Sequence, residues 1–172
     1  MNGEELLAVA PFSWTGILCA IISGAIIGTE RQLLGKPVGI RTSALICLGT
    51  YIFVVIGESV AGPNGDPARV VGQVITGIGF LGAGVMLNRD GMVLGVTSAA
   101  AIWMLAAIGV VIGSGHEFLG VKFAFLAIVI LVGVDLLENS FKSFQRGVHS
   151  KVVVFRERRN HKRPSLPTDS RE

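Results

Sequence analysis

Residues 70–88 read VVGQVITGIGFLGAGVMLN and contain no charged side chain. Residues 6–29, 42–57 and 91–116 are equally free of charge. Residues 118–137 form a further apolar stretch, which Lys122 interrupts near its start. A helix needs about 20 mostly apolar residues to cross the ~30 Å hydrocarbon core of a bilayer. A lysine near a helix end can extend its ammonium to the headgroups. The pattern therefore predicts five membrane-spanning helices.

The composition agrees with a membrane protein. The chain has 172 residues, of which 51% are hydrophobic and 16% charged, too apolar for an ordinary soluble domain. We predict an all-α polytopic membrane protein, a bundle of about five transmembrane helices in residues 1–138, followed by a basic, partly disordered cytoplasmic tail in residues 139–172. The predicted spans lie near residues 12–29, 39–57, 68–87, 96–114 and 118–137.

The distribution of basic residues predicts the orientation. With the N-terminus outside, five spans place every Lys and Arg except Arg69 and Lys122 on the cytoplasmic side, as the positive-inside rule requires. A cleaved signal peptide would need a basic start, whereas this chain starts with Glu4 and Glu5. We therefore expect an N-out, C-in topology with the first span retained.

Glycine is unusually frequent, at 23 residues, and is concentrated in the third span. Lipid provides no hydrophobic force between helices, so small residues that allow close backbone approach supply the packing. We expect the third span to be the centre of the bundle and Gly24 with Gly28 to offer it a matching face on the first. The candidate packing residues are Gly24, Gly28, Gly72, Gly77, Gly79, Gly82, Ala83 and Gly84.

The sequence gives no sign of an enzyme. Residues 77–82 satisfy the dinucleotide pattern G-x-G-x-x-G, but they lie in mid-membrane without the strand and helix start that the pattern needs. No phosphate-loop pattern and no combination of nucleophile, base and orienting group is recognisable. We expect no catalytic residue, no cofactor and no nucleic-acid partner.

Charged residues at the ends of spans are costly unless paired, so they are candidate functional groups. Glu30 and Arg31 end the first span, and Arg41 begins the second. Because neighbouring residues on a helix do not face each other, we expect Glu30 to meet Arg41 across the intervening turn. A structural ion pair and a functional site are both open interpretations.

Polar residues of the later spans have two interpretations each. Asp66, just before Pro67, has the form of a helix N-cap, and Arg69 follows it. Gln73 and Thr76 either form interhelical hydrogen bonds or line a cavity, while Thr97 and Ser98 could cap the fourth helix. Glu58 and Asp66, with Asn64, are weak candidates for an Mg²⁺ site.

Five short blocks resemble, in order and spacing, the MgtC/SapB family of bacterial inner-membrane proteins. The resemblance covers roughly residues 14–135. The blocks are GTERQ at 28–32, GIRT at 39–42, DPARV at 66–70, QVITGIGFLGAG at 73–84 and TSAAAIW at 97–103.

The resemblance implies about five transmembrane helices and a role in adaptation to low magnesium, acid stress or a host environment. It implies partners such as a P-type Mg²⁺ ATPase or the F-type ATP synthase. It also assigns importance to the glycines of the third span and to Glu30, Arg31, Arg41, Asp66, Arg69 and Gln73. Virulence-associated members carry an ACT-like domain after the last helix. We expect the tail from residue 139 to be too short for that domain.

Two functions follow as hypotheses. The first is a non-enzymatic regulator or accessory, a homo-oligomer in the inner membrane that acts through helix contacts with itself or another membrane complex. The alternative is a channel or carrier for Mg²⁺ or another small ion, for which Asp66, Glu58, Gln73 and Glu30 would supply polar groups. The spans contain few acidic residues, which favours the first hypothesis.

Overall fold

A computed structural model describes residues 8–61, 66–89 and 92–137. The described residues form five helices, in agreement with the five predicted spans. They are α1 (Trp14–Leu33), α2 (Ile40–Ala61), α3 (Pro67–Gly84), α4 (Val96–Gly113) and α5 (Glu117–Leu137). Between α3 and α4 the strands β1 (Leu87–Arg89) and β2 (Met92–Leu94) pair as an antiparallel hairpin, in a connection for which no strand was predicted.

Four of the five helices, α1, α2, α4 and α5, are long and apolar enough to cross a membrane. The exception is α3, whose apolar part, Ala68–Gly84, is one residue shorter than the 18 residues of α4 and rises about 26 Å at ~1.5 Å per residue. This length is slightly less than the ~30 Å of a typical hydrocarbon core. The predicted fold class, an all-α polytopic membrane protein, is confirmed.

The chain divides into two compact units, with the boundary after residue 130. The first unit contains α1 to α4 and most of α5. The described part of the second is the end of α5, residues 131–137. The predicted cytoplasmic tail, residues 139–172, lies outside the described residues and stays a prediction.

Successive helices alternate in direction. Gly24 of α1 lies opposite Ala44 of α2, and Gly28 lies opposite Ile40, so these two helices are antiparallel. In contrast, Gly109 of α4 lies opposite Cys47 of α2 and Gly113 opposite Val54, so α2 and α4 are parallel. Alternation is what consecutive membrane spans require, and it is consistent with the predicted five-span topology.

Hydrogen bonds hold the two ends of α1. At its start, the Ser13 hydroxyl oxygen accepts from the Gly16 N–H at 2.9 Å and donates to Glu117 of α5 at 3.3 Å. The Ser13 N–H donates to the Tyr51 hydroxyl of α2 at 3.0 Å. At its end, Gln32 Oε1 accepts from the Ile40 N–H at 3.3 Å. Both ends of α1 are therefore tied to α2.

Glycine allows α1 and α2 to pack backbone to backbone. A β-carbon at Gly24 would lie 2.5 Å from Cα of Ala44, and one at Gly28 would lie 2.6 Å from Cα of Ile40. Real β-carbons do not approach other atoms so closely, so only glycine fits. The predicted packing role of Gly24 and Gly28 is confirmed, but their partner is α2 and not the third span.

The prediction that the third span is the centre of the bundle is wrong for a single chain. The buried side chains come mainly from α1, α2 and α4, and Ile78 is the one buried apolar side chain among the described residues of α3. Close approach occurs instead on α4, where a β-carbon at Gly109 would lie 2.6 Å from the Cys47 carbonyl oxygen. The core is therefore α1, α2 and α4, with α3 at the periphery.

We predict that Gly24→Ala lowers the thermal unfolding midpoint in detergent, because the new methyl group meets the α2 backbone and overpacking costs about 1–3 kcal/mol. Gly49→Ala is the matched control, since no heavy atom lies within 4 Å of a β-carbon at Gly49. Equal midpoints for the two variants would contradict the close packing of α1 against α2.

Candidate functional site

The end of α1 carries two charged residues into the protein interior. The side chains of Ser23, Ile27 and Glu30 share one face of the helix because they are four and three residues apart, and all three are buried. Arg31, the next residue, is only 1% exposed and Glu30 is 9% exposed. Two adjacent charged residues are therefore inside, although such residues are almost never fully buried without partners.

Arg31 is bound by the start of α4. Its Nη2 donates a hydrogen bond of 2.6 Å to the Ser98 hydroxyl, which is itself buried. Charge-assisted hydrogen bonds of this kind are shorter and stronger than neutral ones. We refer to Glu30, Arg31 and Ser98 as the buried polar cluster. It links α1 to α4 at the end of the bundle opposite Ser13.

The entry into α4 depends on glycine. Gly95 is the N-cap residue, with a φ of 87°, in the left-handed region that favours glycine. A β-carbon there would collide with the Val85 carbonyl oxygen. The predicted capping by Thr97 or Ser98 is therefore wrong: no side chain caps α4. Thr97 is exposed, whereas Ser98 turns inward to Arg31.

Glu30 does not pair with Arg41, so this prediction is wrong. Both carboxylate oxygens of Glu30 are buried and have no hydrogen-bond partner among the described residues. Glu30 lies on the inner face of α1, whereas Arg41 lies in the first turn of α2 and is exposed. The two side chains consequently face different surroundings.

Other polar atoms nearby also lack partners. The Arg31 Nε and the Ser23 hydroxyl, which lies two turns before Glu30 on the same face of α1, have no hydrogen-bond partner in the described part of the chain. Buried polar atoms are nearly always paired, with protein or with ordered water. The cluster can therefore accept a hydrogen bond at Glu30 and donate one at Arg31.

At the opposite end of the bundle, Asp66 caps α3. Its Oδ1 accepts from the Ala68 N–H at 3.0 Å, and Pro67 occupies the first helical turn. The predicted N-cap is confirmed. Arg69 and Glu58 are exposed. The described residues contain no group of three or more His, Cys, Asp or Glu side chains suited to a metal ion, and Asn64 lies outside them.

Gln73 and Thr76 have different surroundings. Gln73 lines a cavity of about 500 Å³ between α2 and α3. Thr76 is exposed and donates a hydrogen bond of 2.9 Å to the Gly72 carbonyl oxygen one turn back. Thr76 and Arg41 do not line this cavity.

The small residues of α3 make no close contact within the described part of the chain. No heavy atom lies within 4 Å of a β-carbon built at four of its glycines, and Gly82 is only in ordinary contact with Ala99 at 3.8 Å. Ala83 is exposed. Their predicted packing role stays a prediction, which would concern another molecule. The four open positions are Gly72, Gly77, Gly79 and Gly84.

The sequence alone did not identify three polar residues of this architecture. Ser98 appeared only as a capping candidate, although a hydroxyl early in an apolar helix can also bind a charged side chain. Gln32 accepts from the start of α2; its position directly after Glu30 and Arg31 was the available signal. Thr50 lines the same cavity as Gln73; it lies within a charge-free stretch, and nothing in its neighbours distinguishes it.

We predict that Ser98→Ala destabilises the protein by about 1–3 kcal/mol, because the buried Arg31 Nη2 loses its partner. Thr97→Ala, one residue earlier and exposed, should leave the unfolding midpoint unchanged. If the midpoint in detergent is the same for both variants, the hydrogen bond between Arg31 and Ser98 does not stabilise the fold.

The fold and the site define a small polytopic membrane protein with buried charges at one end and an open, glycine-rich helix. The sequence model of the MgtC family matches residues 17–140. The chain belongs to the MgtC family, as its sequence blocks had indicated.

Curated relatives agree with this assignment. The chain is 43% identical over 145 residues to the Escherichia coli (strain K12) protein named "Putative magnesium transporter YhiD", covering 80% of this chain and 66% of the relative. It is 38% identical over 134 residues to "Protein MgtC" of Salmonella typhimurium (strain LT2), covering 78% and 55%. It thus spans from about half to two thirds of these relatives. No solved structure matches the chain.

Proposed function

We propose that the chain is a non-enzymatic regulator or accessory of the bacterial inner membrane that acts through helix contacts with a second copy or another membrane protein. The observation that carries the proposal is the open face of α3, which we define as Gly72, Thr76, Gly79, Phe80 and Ala83. At 100° per residue these five side-chain positions fall on one side of the helix. All five are exposed.

The open face has the small side chains that allow two helices to associate closely in lipid. Gly72 and Gly79 lie seven residues apart with no heavy atom within 4 Å of their β-carbon positions, so another helix can approach the backbone closely. The Thr76 hydroxyl is bonded within its own helix and needs no further partner. Phe80 is 82% exposed and supplies a large apolar surface beside this shallow groove.

The rest of the proposal follows from the family. An adaptive role in low magnesium, acid stress or a host environment, and a P-type Mg²⁺ ATPase or the F-type ATP synthase as a partner, come from the resemblance. The name of YhiD connects magnesium with one relative. The open face supports the contact itself, whichever molecule provides the other side.

We expect crosslinking in membranes to detect an oligomer of the unmodified chain, and Gly72→Leu and Gly79→Leu to abolish it, because a bulky side chain prevents close backbone approach. The single-chain fold should survive, since both positions are open. Gly49→Leu on α2, also open within the chain, is the control and should leave the crosslinked species intact. An unchanged oligomer in both α3 variants would contradict the proposed contact.

A channel or carrier for Mg²⁺ or another small ion is the second candidate. The buried carboxylate of Glu30, with both oxygens unpartnered among the described residues, favours it, because carboxylate oxygens are the ligands that Mg²⁺ prefers. The scarcity of further ligands argues against a carrier. On the same face of α1 as Glu30, the other buried group without a partner among the described residues is the Ser23 hydroxyl, and one hydroxyl provides few oxygens for an ion.

Flux measurements separate the two candidates. We expect proteoliposomes containing an Mg²⁺-sensitive dye to show no influx above that of empty vesicles. Influx that Glu30→Gln abolishes would instead establish the carrier. Asp66→Asn is a second test of the carrier, since Asp66 is a candidate polar group at the other end of the bundle and asparagine is an equally good N-cap residue.

A further inference from the structure

The cavity between α2 and α3 is formed by the divergence of the two helices. They touch where a β-carbon at Gly57 would lie 2.6 Å from Cγ1 of Val70. Further along, Gly77 provides no side chain and no atom lies within 4 Å of its β-carbon position. The resulting cavity of about 500 Å³ is within the ~300–1,000 Å³ range of small-molecule pockets.

The walls of the cavity differ in exposure. Thr50 and Ile78 are 4% and 9% exposed and form its floor. Phe53 and Leu81 are 66% and 50% exposed and lie at its edge. Because exposed side chains of spanning helices face lipid, the cavity opens sideways into the bilayer. A molecule that enters it must therefore be dissolved in the membrane.

The floor carries a hydroxyl group without a partner among the described residues. Thr29 and Thr76 both donate to the carbonyl oxygen one turn back, at 2.7 and 2.9 Å. Thr50, also within a helix, makes no such hydrogen bond in the described part of the chain, although the residue is almost completely buried. The Thr50 oxygen is not among the fully buried unpartnered polar atoms of the described residues, so it is accessible from the cavity that Thr50 lines. A ligand with a hydrogen-bonding group would be favoured there.

The depth of Thr50 restricts the ligand. Thr50 is the eleventh of the 22 residues of α2, about 15 Å from either helix end at ~1.5 Å per residue. The polar groups of phospholipids lie at the membrane surfaces and do not reach this depth. A charged molecule is disfavoured at the bilayer centre. The oxygen or nitrogen that meets Thr50 must therefore belong to a neutral molecule.

We propose that this cavity binds a neutral, membrane-dissolved molecule with a carbonyl or hydroxyl group on an apolar body. Thr50 hydrogen-bonds its oxygen, and the carboxamide of Gln73, the other polar side chain on the wall, provides a second contact. The site goes beyond the helix-contact function, since Gln73 and Gly77 lie on the side of α3 that faces α2, and Gly72 and Gly79 lie on the open face.

The test uses the full chain in phospholipid nanodiscs and a photoreactive short-chain isoprenoid benzoquinone as the probe. We expect crosslinked peptides to concentrate on the middle of α2 and on residues 73–81 of α3. Unlabelled benzoquinone should compete with the probe, and an isoprenoid hydrocarbon of the same carbon skeleton should compete poorly, because it lacks the oxygen that Thr50 binds.

Three variants make the test specific. Thr50→Val keeps the shape and removes the hydroxyl, so labelling should fall by about 2- to 10-fold, the value of one neutral hydrogen bond. Gly77→Leu fills the cavity and should abolish specific labelling. Gly49→Leu, equally open but outside the cavity, is the control and should label like the unmodified chain.

Several results would overturn the proposal. Labelling spread over the exposed faces of all helices, or labelling unaffected by Gly77→Leu, would show that the cavity is not a binding site. Equal competition by the hydrocarbon together with normal labelling of Thr50→Val would show a groove filled by acyl chains. A crosslink from Phe53 to α3 of a second copy would show that another protein chain occupies it.

Discussion

The architecture depends on the contact between the backbones of α1 and α2. Between helices in lipid, the driving force that buries apolar surface in water is missing, and van der Waals contact at short range has to replace it. Gly24 and Gly28 provide it by placing α1 directly against the α-carbons of Ala44 and Ile40. Gly109 and Gly113 of α4 likewise bring that helix into close contact with α2.

This rigid core explains how charged groups can be held inside. With α1 fixed against α2 and α4, the side chains of Glu30 and Arg31 have little freedom to reach water, and Ser98 meets Arg31 at 2.6 Å. α3 packs less closely. It contacts α2 at Gly57 and α4 at Gly82, and it leaves a cavity between itself and α2. The chain thus combines a closely packed part with a loosely held helix, and the proposed contacts and the cavity all involve the latter.

The sequence predicted the five helices, because charge is costly in hydrocarbon and the absence of charge is visible in the sequence. It also identified the Asp66 cap and the close-packing role of Gly24 and Gly28.

The sequence failed where the partner of a residue had to be named. A small-residue motif shows that a helix can be approached closely but not by which helix, so α3 was wrongly placed at the centre. Glu30 was paired with Arg41 because of a short connection, whereas helix rotation turns them apart. Thr50, an isolated polar residue, could be recognised only once α3 was seen to diverge from α2.

α3 and α4 have 18 residues each, but α3 lies at the periphery of the bundle, where its length affects the surrounding lipid. A helix about 3 Å shorter than the hydrocarbon core leaves its ends below the surface unless the adjoining leaflets compress, and each ångström of such mismatch costs a fraction of a kcal/mol. Two copies that adjoin through α3 would share one compressed region instead of creating two. Membrane thickness, and with it lipid composition, thereby becomes a physical variable that biases the association of this protein.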